Sequence, residues 1–369
     1  MASSWARARA RERIVALASA GMADAARKTD RELRREALDV LRDVIPFSSY
    51  VWLLTDPVTE VGIAPLAEVP DLTVLPALIK AKYATPVNRW TELRRQASPV
   101  GVLREATGAD LARSRVWREV MSRHGVRDVA SVVFADHHGC WGFLDLWRDD
   151  SVEAFRTADA EFLAGVAAPL TAALRDCQAR TFAAPAAAYP RETGPVVLTL
   201  DESLRIHGRT AASQAWLDVL LPPDSGAQAV PAGVYNVAAQ LLAIEEGIDD
   251  HPAYARTHLA NGFWLTLRAA RLAPDSDPSG DMTASATIAV TVEEASAADR
   301  LDLFARASCL TARERELLAL LATGSDTRAL ARQMTLSEHT VQDHLKSIFA
   351  KTGTRDRVTI LARALGTRP

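Results

Sequence analysis

The chain has 369 residues, more than one ordinary hydrophobic core holds, so its length predicts two or three domains. With 48% hydrophobic and 24% charged residues it has the composition of a globular protein, and a net charge of −3 does not by itself indicate a nucleic-acid partner. Cys140, Cys177 and Cys309 lie far apart with no CxxC motif, which argues against a zinc site and favours a reducing compartment. We find no secretory signal and no bilayer-length apolar run, so we expect a cytoplasmic protein with no membrane partner.

Residues 1–182 have the pattern of a first α+β domain. Residues 14–44 predict one long helix with apolar residues at a spacing of three and four, ended by Pro46. Three runs rich in β-branched and aromatic residues predict strands, the last two joined by a hairpin turn. These runs are residues 49–55, 129–135 and 139–147. Residues 157–177 predict a long closing helix, and this order of elements is typical of an α/β sandwich.

Residues 196–294 have the pattern of a second, smaller α+β domain. Before it, residues 183–195 are dense in Ala and Pro and predict a linker, whereas residues 273–281 predict a loop inside the domain. Alternating apolar residues predict three strands, and two apolar-rich runs predict helices. The strands are residues 196–201, 263–271 and 288–292, and the helices are residues 210–221 and 232–246. Residues 293–308 predict a helical connector.

In the order of their elements, these two segments resemble a GAF-like domain followed by a PAS-like domain. The stretches that carry the resemblance are HGVRDVASVVFADHHGCWGFLDLWRD and VVLTLDESLRIHGRTAASQAWL. The resemblance implies sensory or dimerising modules, and a fold alone does not establish a ligand.

The charge of the chain is unevenly distributed. Residues 310–369 contain ten Lys or Arg against six acids, a net charge of +4, so residues 1–309 carry −7. A basic end on an acidic body favours a polyanion-binding module at the C-terminus, although a solvated tail has the same composition.

The C-terminal segment predicts four helices. Thr311 precedes a helical run with Glu314 three residues on, the reciprocal capping pattern, and Gly324 stands where that helix would end. A second short helix is predicted over residues 327–334. Ser337 is a good N-cap for a third helix.

The third helix of this segment has two faces of different chemistry. Its apolar face, at offsets of 0, 4, 7 and 8, consists of Val341, Leu345, Ile348 and Phe349. Its polar face consists of His339, Gln342, Asp343, Lys346 and Ser347. A helix of this width fits the major groove of DNA, where such a face can meet base edges. Residues 356–364 predict a fourth, supporting helix.

Many residues of the segment also follow a known pattern at fixed spacing. They are Leu310-Thr311-x-Arg313-Glu314-x-Glu316, Gly324, Leu330-Ala331, Ser337-x-x-Thr340-Val341-x-x-His344-Leu345-x-x-Ile348-Phe349, Lys351-x-Gly353 and Arg355-x-Arg357. Over about 57 residues the segment resembles the LuxR/FixJ-type helix-turn-helix family. The resemblance implies a DNA-binding domain over residues 306–369.

The resemblance also implies roles for single residues. Thr340 and His344 would anchor the recognition helix against phosphate, and residues 342, 343 and 346 would face the bases. Positive charge near the DNA backbone would come from Lys351, Arg355 and Arg357. Two base-facing positions depart from the family pattern: Gln342 replaces a frequent Lys, and Asp343 places an acid in the groove. Gln can pair with adenine and Asp can accept from cytosine, so specificity survives while non-specific attraction to phosphate falls. The stretch GSDTRA at residues 324–329 also departs from the family pattern.

Several other features admit a functional and a structural interpretation. His137, His138 and Cys140 would fit a metal or haem site, but adjacent histidines in a polar stretch are more often a turn. Five tryptophans would suit the wall of a ligand pocket or a core. These are Trp52, Trp90, Trp117, Trp141 and Trp147. The Arg-rich residues 7–13 would suit nucleic acid, a membrane or a solvated helix face. The four-helix tail itself could serve protein–protein contacts.

Together these patterns predict an α+β multidomain chain with a GAF-like α/β sandwich, a PAS-like α+β domain and a C-terminal all-α four-helix helix-turn-helix. We expect a homodimeric transcription regulator that binds double-stranded DNA, with RNA polymerase and a small-molecule signal as candidate further partners. Because GxxxxGK[ST], GxSxG and HExxH are missing, we expect no enzyme, and we expect no catalytic residue, cofactor or metal. The alternatives are a cofactor-bearing sensor whose N-terminal domains carry the chemistry, and an interaction scaffold.

Overall fold

The computed structural model describes residues 3–23, 28–183, 196–211, 213, 231–259, 263–272 and 287–366. Two compact units divide the chain: residues 1–174, 192–257 and 266–293 belong to the first, and residues 175–191, 258–265 and 294–369 to the second. The predicted loop over residues 273–281 lies outside the described residues. The predicted linker over residues 183–195 does too, except for its first residue. So does most of the helix predicted over residues 210–221. None of the described helices combines the length and the apolar character needed to cross a bilayer.

The N-terminal helical region is two helices, α1 (Ser4–Ala23) and α2 (Asp30–Arg42). The prediction of one helix over residues 14–44 is therefore wrong. The physical reason is a capping box: Thr29 accepts a hydrogen bond from the Glu32 amide and the Glu32 carboxylate accepts one from the Thr29 amide, which starts a new helix. The predicted apolar face of α2 is buried as expected.

The first sheet has five strands in the order β2-β1-β5-β4-β3, and every pairing is antiparallel. The strands are β1 (Ser49–Thr55), β2 (Gly62–Glu68), β3 (Val100–Val102), β4 (Asp128–Asp136) and β5 (Gly139–Arg148). The three predicted strands are confirmed as β1, β4 and β5, and the predicted turn joins β4 to β5. Helices α3 to α7 are Leu75–Tyr83, Trp90–Leu93, Leu103–Thr107, Arg115–Glu119 and Thr157–Thr181.

The second sheet also has five strands, in the order β7-β6-β10-β9-β8. They are β6 (Val196–Leu200), β7 (Ile206–Arg209), β8 (Tyr254–Leu259), β9 (Phe263–Arg271) and β10 (Ile288–Glu294). Counted from its own first strand, this sheet has the same order as the first, 2-1-5-4-3. Between β7 and β8 lies helix α8 (Ala232–Glu245), which packs against α3 and β2.

Buried charges join the segments of the two sheets within the first unit. The Asp56 carboxylate accepts two hydrogen bonds from the Arg256 guanidinium, at 2.7 and 2.9 Å, and neither side chain is more than 2% exposed. Asp249 is also paired with a buried arginine, since it accepts one hydrogen bond from Nε of Arg89 at 2.6 Å. Because each buried charge meets an opposite one, these pairs fix the register of the contact between the segments.

The second unit contains the five C-terminal helices. They are α9 (Ala297–Ala307), α10 (Ala312–Ala322), α11 (Thr327–Met334), α12 (Glu338–Thr352) and α13 (Arg357–Leu365). The predicted connector begins later than expected, because β10 continues to Glu294 and Ser296 is the N-cap of α9. The expectation of a mixed α+β chain with an all-α C-terminal region is confirmed.

We predict that Asp56→Asn lowers the free energy of unfolding by about 3–5 kcal/mol, because it removes one charge of a buried ion pair whose side chains are at most 2% exposed. Asp43→Asn is the matched control. Asp43 also pairs with an arginine, Arg13, but both side chains are more than half exposed, so its loss costs less than about 1 kcal/mol. Urea unfolding of both variants measures the difference, and equal costs would contradict the structural role of the buried pair.

Candidate nucleic-acid interface

Helix α12 begins and ends at strong local signals. The hydroxyl of Ser337 accepts a hydrogen bond from the Thr340 amide at 3.1 Å, which caps the N-terminus as the sequence predicts. At the other end Gly353 adopts a left-handed conformation, with φ of +61°, that terminates the helix. Both ends of this helix are therefore set by its own residues.

One side of α12 is held in the core of the second unit. Val341, Leu345 and Ile348 are 0–2% exposed, while Phe349 is half-buried at the edge of this face. The helix packs against both α10 and α11. Burial of these three branched side chains holds this side of the helix against its neighbours.

The opposite side of α12 is open to solvent and carries the polar residues proposed from the sequence. His339, Lys346 and Asp343 have side chains that are 84%, 72% and 54% exposed. Gln342 is also exposed, whereas Thr340 and His344 are half-buried beside the face. We call His339, Gln342, Asp343 and Lys346 the outward ridge.

The charged residues of the outward ridge bind one another. One oxygen of Asp343 accepts a hydrogen bond from the Lys346 ammonium at 3.0 Å, and the other lies 3.5 Å from Nε2 of His339. The hydrogen bond from Lys346 lowers the pKa of Asp343, so the carboxylate stays ionised. The positive charge of Lys346 is therefore partly compensated before any ligand arrives.

Ser347 does not belong to the outward ridge, although the sequence placed it there. Its hydroxyl donates to Oε1 of Glu314 at 2.7 Å, and its side chain is half-buried. The ammonium of Lys351, one turn further along α12, lies 2.6 Å from Oε2 of the same carboxylate. A single buried acid of α10 thus holds two side chains of α12.

The surroundings of Glu314 explain why its carboxylate stays ionised and holds these two side chains. It is 3% exposed, and its carboxylate also accepts from the Thr311 amide at 2.7 Å, which completes the predicted capping box. Burial opposes its ionisation, but hydrogen bonds from Lys351, Ser347 and Thr311 outweigh burial and lower the pKa of Glu314 to about 2. The sequence pattern predicted that Glu314 caps α10. No local pattern indicated its bonds to Ser347 and Lys351 of α12.

The three basic residues at the end of α12 and just beyond it lie in different surroundings. Lys351 is only 32% exposed and its charge faces Glu314. Arg357 is half-buried and donates to the hydroxyl of Thr327 at 2.7 Å. Arg355 is exposed. Of the three, Arg355 presents its charge most directly to solvent.

The other candidate features lie in the first unit. His137 and His138 occupy the β4–β5 turn, and burial raises the pKa of the Cys140 thiol to about 12, which disfavours the metal-binding thiolate. Trp52, Trp90 and Trp141 are buried in the core, and Trp117 is half-buried. Trp147 is also buried, and it lines a cleft.

Among the described residues, one group of three side chains has ligand atoms close enough to share a metal ion: Asp249, Asp250 and His251. The Asp249 carboxylate is already engaged, because it accepts from Arg89 at 2.6 Å and lies 2.5 Å from Nδ1 of His251. These contacts account for the geometry of the group without an ion.

Comparison with known proteins agrees with the geometry of α10 to α13. Residues 308–364 match the family model of bacterial regulatory proteins of the luxR family. The C-terminal segment is a LuxR-family helix-turn-helix domain. The family resemblance drawn from the sequence is thereby confirmed.

Relatives of this chain carry regulator names. Over 155 residues, or 41% of the chain, it is 33% identical to the probable HTH-type transcriptional regulator GfsR of Streptomyces halstedii. Over 63 residues, or 17% of the chain, it is 32% identical to the transcriptional regulatory protein DesR of Bacillus subtilis (strain 168). The matches span 58% of GfsR and 32% of DesR.

A crystal structure of Escherichia coli SdiA aligns with 97% of this chain and 97% of its own, at 14% identity. The TM-score of that alignment is 0.35. At this score the likeness does not establish a shared fold.

We predict that Glu314→Gln destabilises the LuxR-family domain by about 2 kcal/mol at pH 7, the scale of a charge-assisted hydrogen bond. Because the pKa of Glu314 is lowered in the folded state, its ionised carboxylate stabilises the fold at pH values above its ordinary pKa of 4.5. This stabilisation fades as the pH falls from 4.5 towards 2. The gap between the original protein and the variant, measured by urea unfolding, should shrink at pH 3. A gap that does not change with pH would contradict the assigned charge.

Proposed function

We propose that this protein is a homodimeric transcription regulator that binds specific double-stranded DNA through residues 306–369. The observation that carries the proposal is the contrast between the two sides of α12. Its apolar side packs against α10 and α11, while the outward ridge is exposed to solvent. An exposed, rigid helical face of this kind fits the major groove. The match of residues 308–364 to the luxR family supports the same function.

In this proposal different residues of α12 contact different parts of the DNA. Gln342, Asp343 and Lys346 face base edges, and His339 lies at the entrance of the groove. Thr340 and His344, half-buried beside the ridge, sit against phosphate. The remaining proposed contacts supply positive charge to the DNA backbone: Lys351, Arg355 and Arg357.

The bond between Lys346 and Asp343 shapes the proposed specificity. On an arbitrary sequence Lys346 stays compensated by Asp343, so the general attraction to phosphate is weak. On the right sequence Asp343 accepts from a cytosine amino group and Lys346 is released towards its own acceptor. The pair thus favours selectivity over affinity.

The segments before the DNA-binding domain are proposed to be a GAF-like domain (residues 1–182) and a PAS-like domain (residues 196–294). The shared strand order 2-1-5-4-3 of their sheets supports two modules of similar design. Their proposed work is to dimerise the protein and respond to a small-molecule signal, and RNA polymerase is the proposed partner at the promoter. This work needs neither a cofactor nor a catalytic residue.

We predict that Lys346→Ala weakens DNA binding and flattens its salt dependence. If Lys346 neutralises one phosphate in the complex, the slope of log K against log salt falls by about 0.9. Arg313→Ala is the matched control, since Arg313 is also exposed and also pairs with an acid three residues away, but on α10. Gel-shift titrations at several salt concentrations, on DNA selected by genome-wide capture, measure both slopes. Unchanged affinity together with an unchanged slope for Lys346→Ala would remove this residue from the interface.

We predict a dimer on DNA, because one helix-turn-helix buries too little surface to select a site alone. Gel filtration with light scattering should give twice the mass of the chain at micromolar concentration. On captured DNA, deleting one of two half-sites about 10 base pairs apart should lower affinity at least tenfold. A monomer that binds single half-sites with full affinity would contradict the proposal.

A further inference from the structure

Helix α1 has one side packed in the first unit and the opposite side open to solvent. Ala10, Ile14 and Ala18 are at most 9% exposed, and the helix packs against α2. With 3.6 residues per turn, four exposed residues fall on the face opposite these three. They are Trp5, Arg9, Glu12 and Ala16, which we call the α1 stripe. Their spacing of four, three and four is that of the contact positions in paired helices.

The charges of α1 do not favour a polyanion or a membrane as the partner of the stripe. Arg7 and Arg13 are already paired with acids of the first unit. On the stripe itself the charge of Arg9 is matched by that of Glu12, so the stripe has no net charge. A phosphate-rich surface therefore gains little attraction there.

The apolar part of the stripe has the composition of a protein interface. Trp5 is 68% exposed, the highest value for a large apolar side chain in the part of the chain that the structure describes. The Arg9 guanidinium lies 5.5 Å from the centre of its ring. Beside the stripe, Val15 is 43% exposed. Trp and Arg are the residues most enriched at the centres of interfaces, so a protein surface is the occupant that fits.

The order of side chains along the stripe is complementary to that of a second copy lying antiparallel. In such a pair, residues equally far from a two-fold axis between Arg9 and Glu12 face each other. Arg9 then meets Glu12 of the other copy, and the large Trp5 meets the small Ala16. Neither Arg9 nor Glu12 has an ion-pair partner among the described residues of its own chain, so both are available for this contact.

Other occupants match this order less well. Two parallel helices would place each residue level with its own copy, so that arginine meets arginine and glutamate meets glutamate. An acidic partner would satisfy Arg9 and oppose Glu12, and a basic partner would do the reverse. An antiparallel copy of α1 satisfies both charges with the same contact.

We propose that the α1 stripe is the dimerisation surface of the first unit, formed by the antiparallel α1 helices of two copies of this chain. Two contacts between Trp5 and Ala16 bury the apolar surface, and two pairs between Arg9 and Glu12 set the register and the direction. The inference rests on the proposed function, which calls for a homodimer, and it names the surface that forms the dimer. Because every contact lies in the first unit, the dimer forms without DNA.

Charge reversal in the full chain tests the pairing. Arg9→Glu and Glu12→Arg each place like charges opposite one another at two points, so each should raise the dissociation constant of the dimer about tenfold or more. The double variant Arg9→Glu/Glu12→Arg restores two opposite pairs and should recover most of the original affinity. Arg95→Glu, at another exposed arginine of the first unit, is the matched control and should have no effect.

Sedimentation velocity over a range of concentrations measures the dissociation constants. Single reversals that leave the constant unchanged would overturn the proposal. So would a double variant that is no better than the single ones, because rescue requires that these two positions face each other.

Cysteine cross-linking tests the direction and leaves the stripe intact. Ala8 and Val15 are exposed beside it, and in the antiparallel pair Ala8 of one copy lies near Val15 of the other. Mild oxidation of mixed Ala8→Cys and Val15→Cys chains should therefore give the mixed disulfide. Val15→Cys alone should not cross-link, since its two copies lie roughly 13 Å apart along the helix axis.

The original chain, oxidised in the same way, shows the background from the three native cysteines. Parallel helices would bring the two copies of position 15 level. Cross-linking of Val15→Cys alone, without the mixed disulfide, would therefore overturn the antiparallel arrangement.

DNA binding by the same variants separates this inference from the proposed function. If the dimer survives Trp5→Ala and both charge reversals, another surface forms it, so the inference fails and the regulator remains. An original chain that is monomeric without DNA also overturns the inference, even if it dimerises on DNA. A chain that dimerises through the stripe but shifts no DNA keeps this surface and loses the regulator.

Discussion

The buried carboxylate of Glu314 constrains the whole DNA-binding domain. It caps α10, and on the same two oxygens it holds Ser347 and Lys351 of α12. Apolar packing through Val341, Leu345 and Ile348 sets how closely α12 approaches its neighbours, but packing alone permits small rotations about the helix axis. Directional bonds to a fixed acid remove that freedom, so the outward ridge points one way.

The outward ridge, which we propose meets DNA, has little uncompensated positive charge. Its one lysine is bound to its one acid, and a histidine stands on the other side of that acid. The basic excess of the C-terminal segment is not concentrated on the ridge, and Arg355, just after α12, is an exposed positive charge beside it in the chain. In the proposed complex, attraction to DNA and discrimination between sequences would therefore depend on different residues.

Sequence patterns predicted elements whose signals are local and missed those that depend on distant partners. Strands β1, β4 and β5 are dense in β-branched and aromatic residues, whereas β2 contains Pro65 next to Ala64 with a positive φ of 43°, and β3 is three residues long. On α12 the spacing of apolar residues gave the correct buried face. It could not show that Ser347 turns inward, because its partner Glu314 lies 33 residues earlier and only the folded chain brings them together.

Helix α8 has a consequence for how this protein can be divided. It follows the second sheet's first two strands in the chain, yet it packs on α3 and β2, and its Asn236 donates a hydrogen bond to the Gly62 carbonyl of β2. Asp56 likewise depends on Arg256, 200 residues away. Recombination within the Ala- and Pro-rich stretch near residue 190 would therefore separate the first sheet from the residues of the second segment that contact it. Only a transfer that carries both sheets together preserves these contacts.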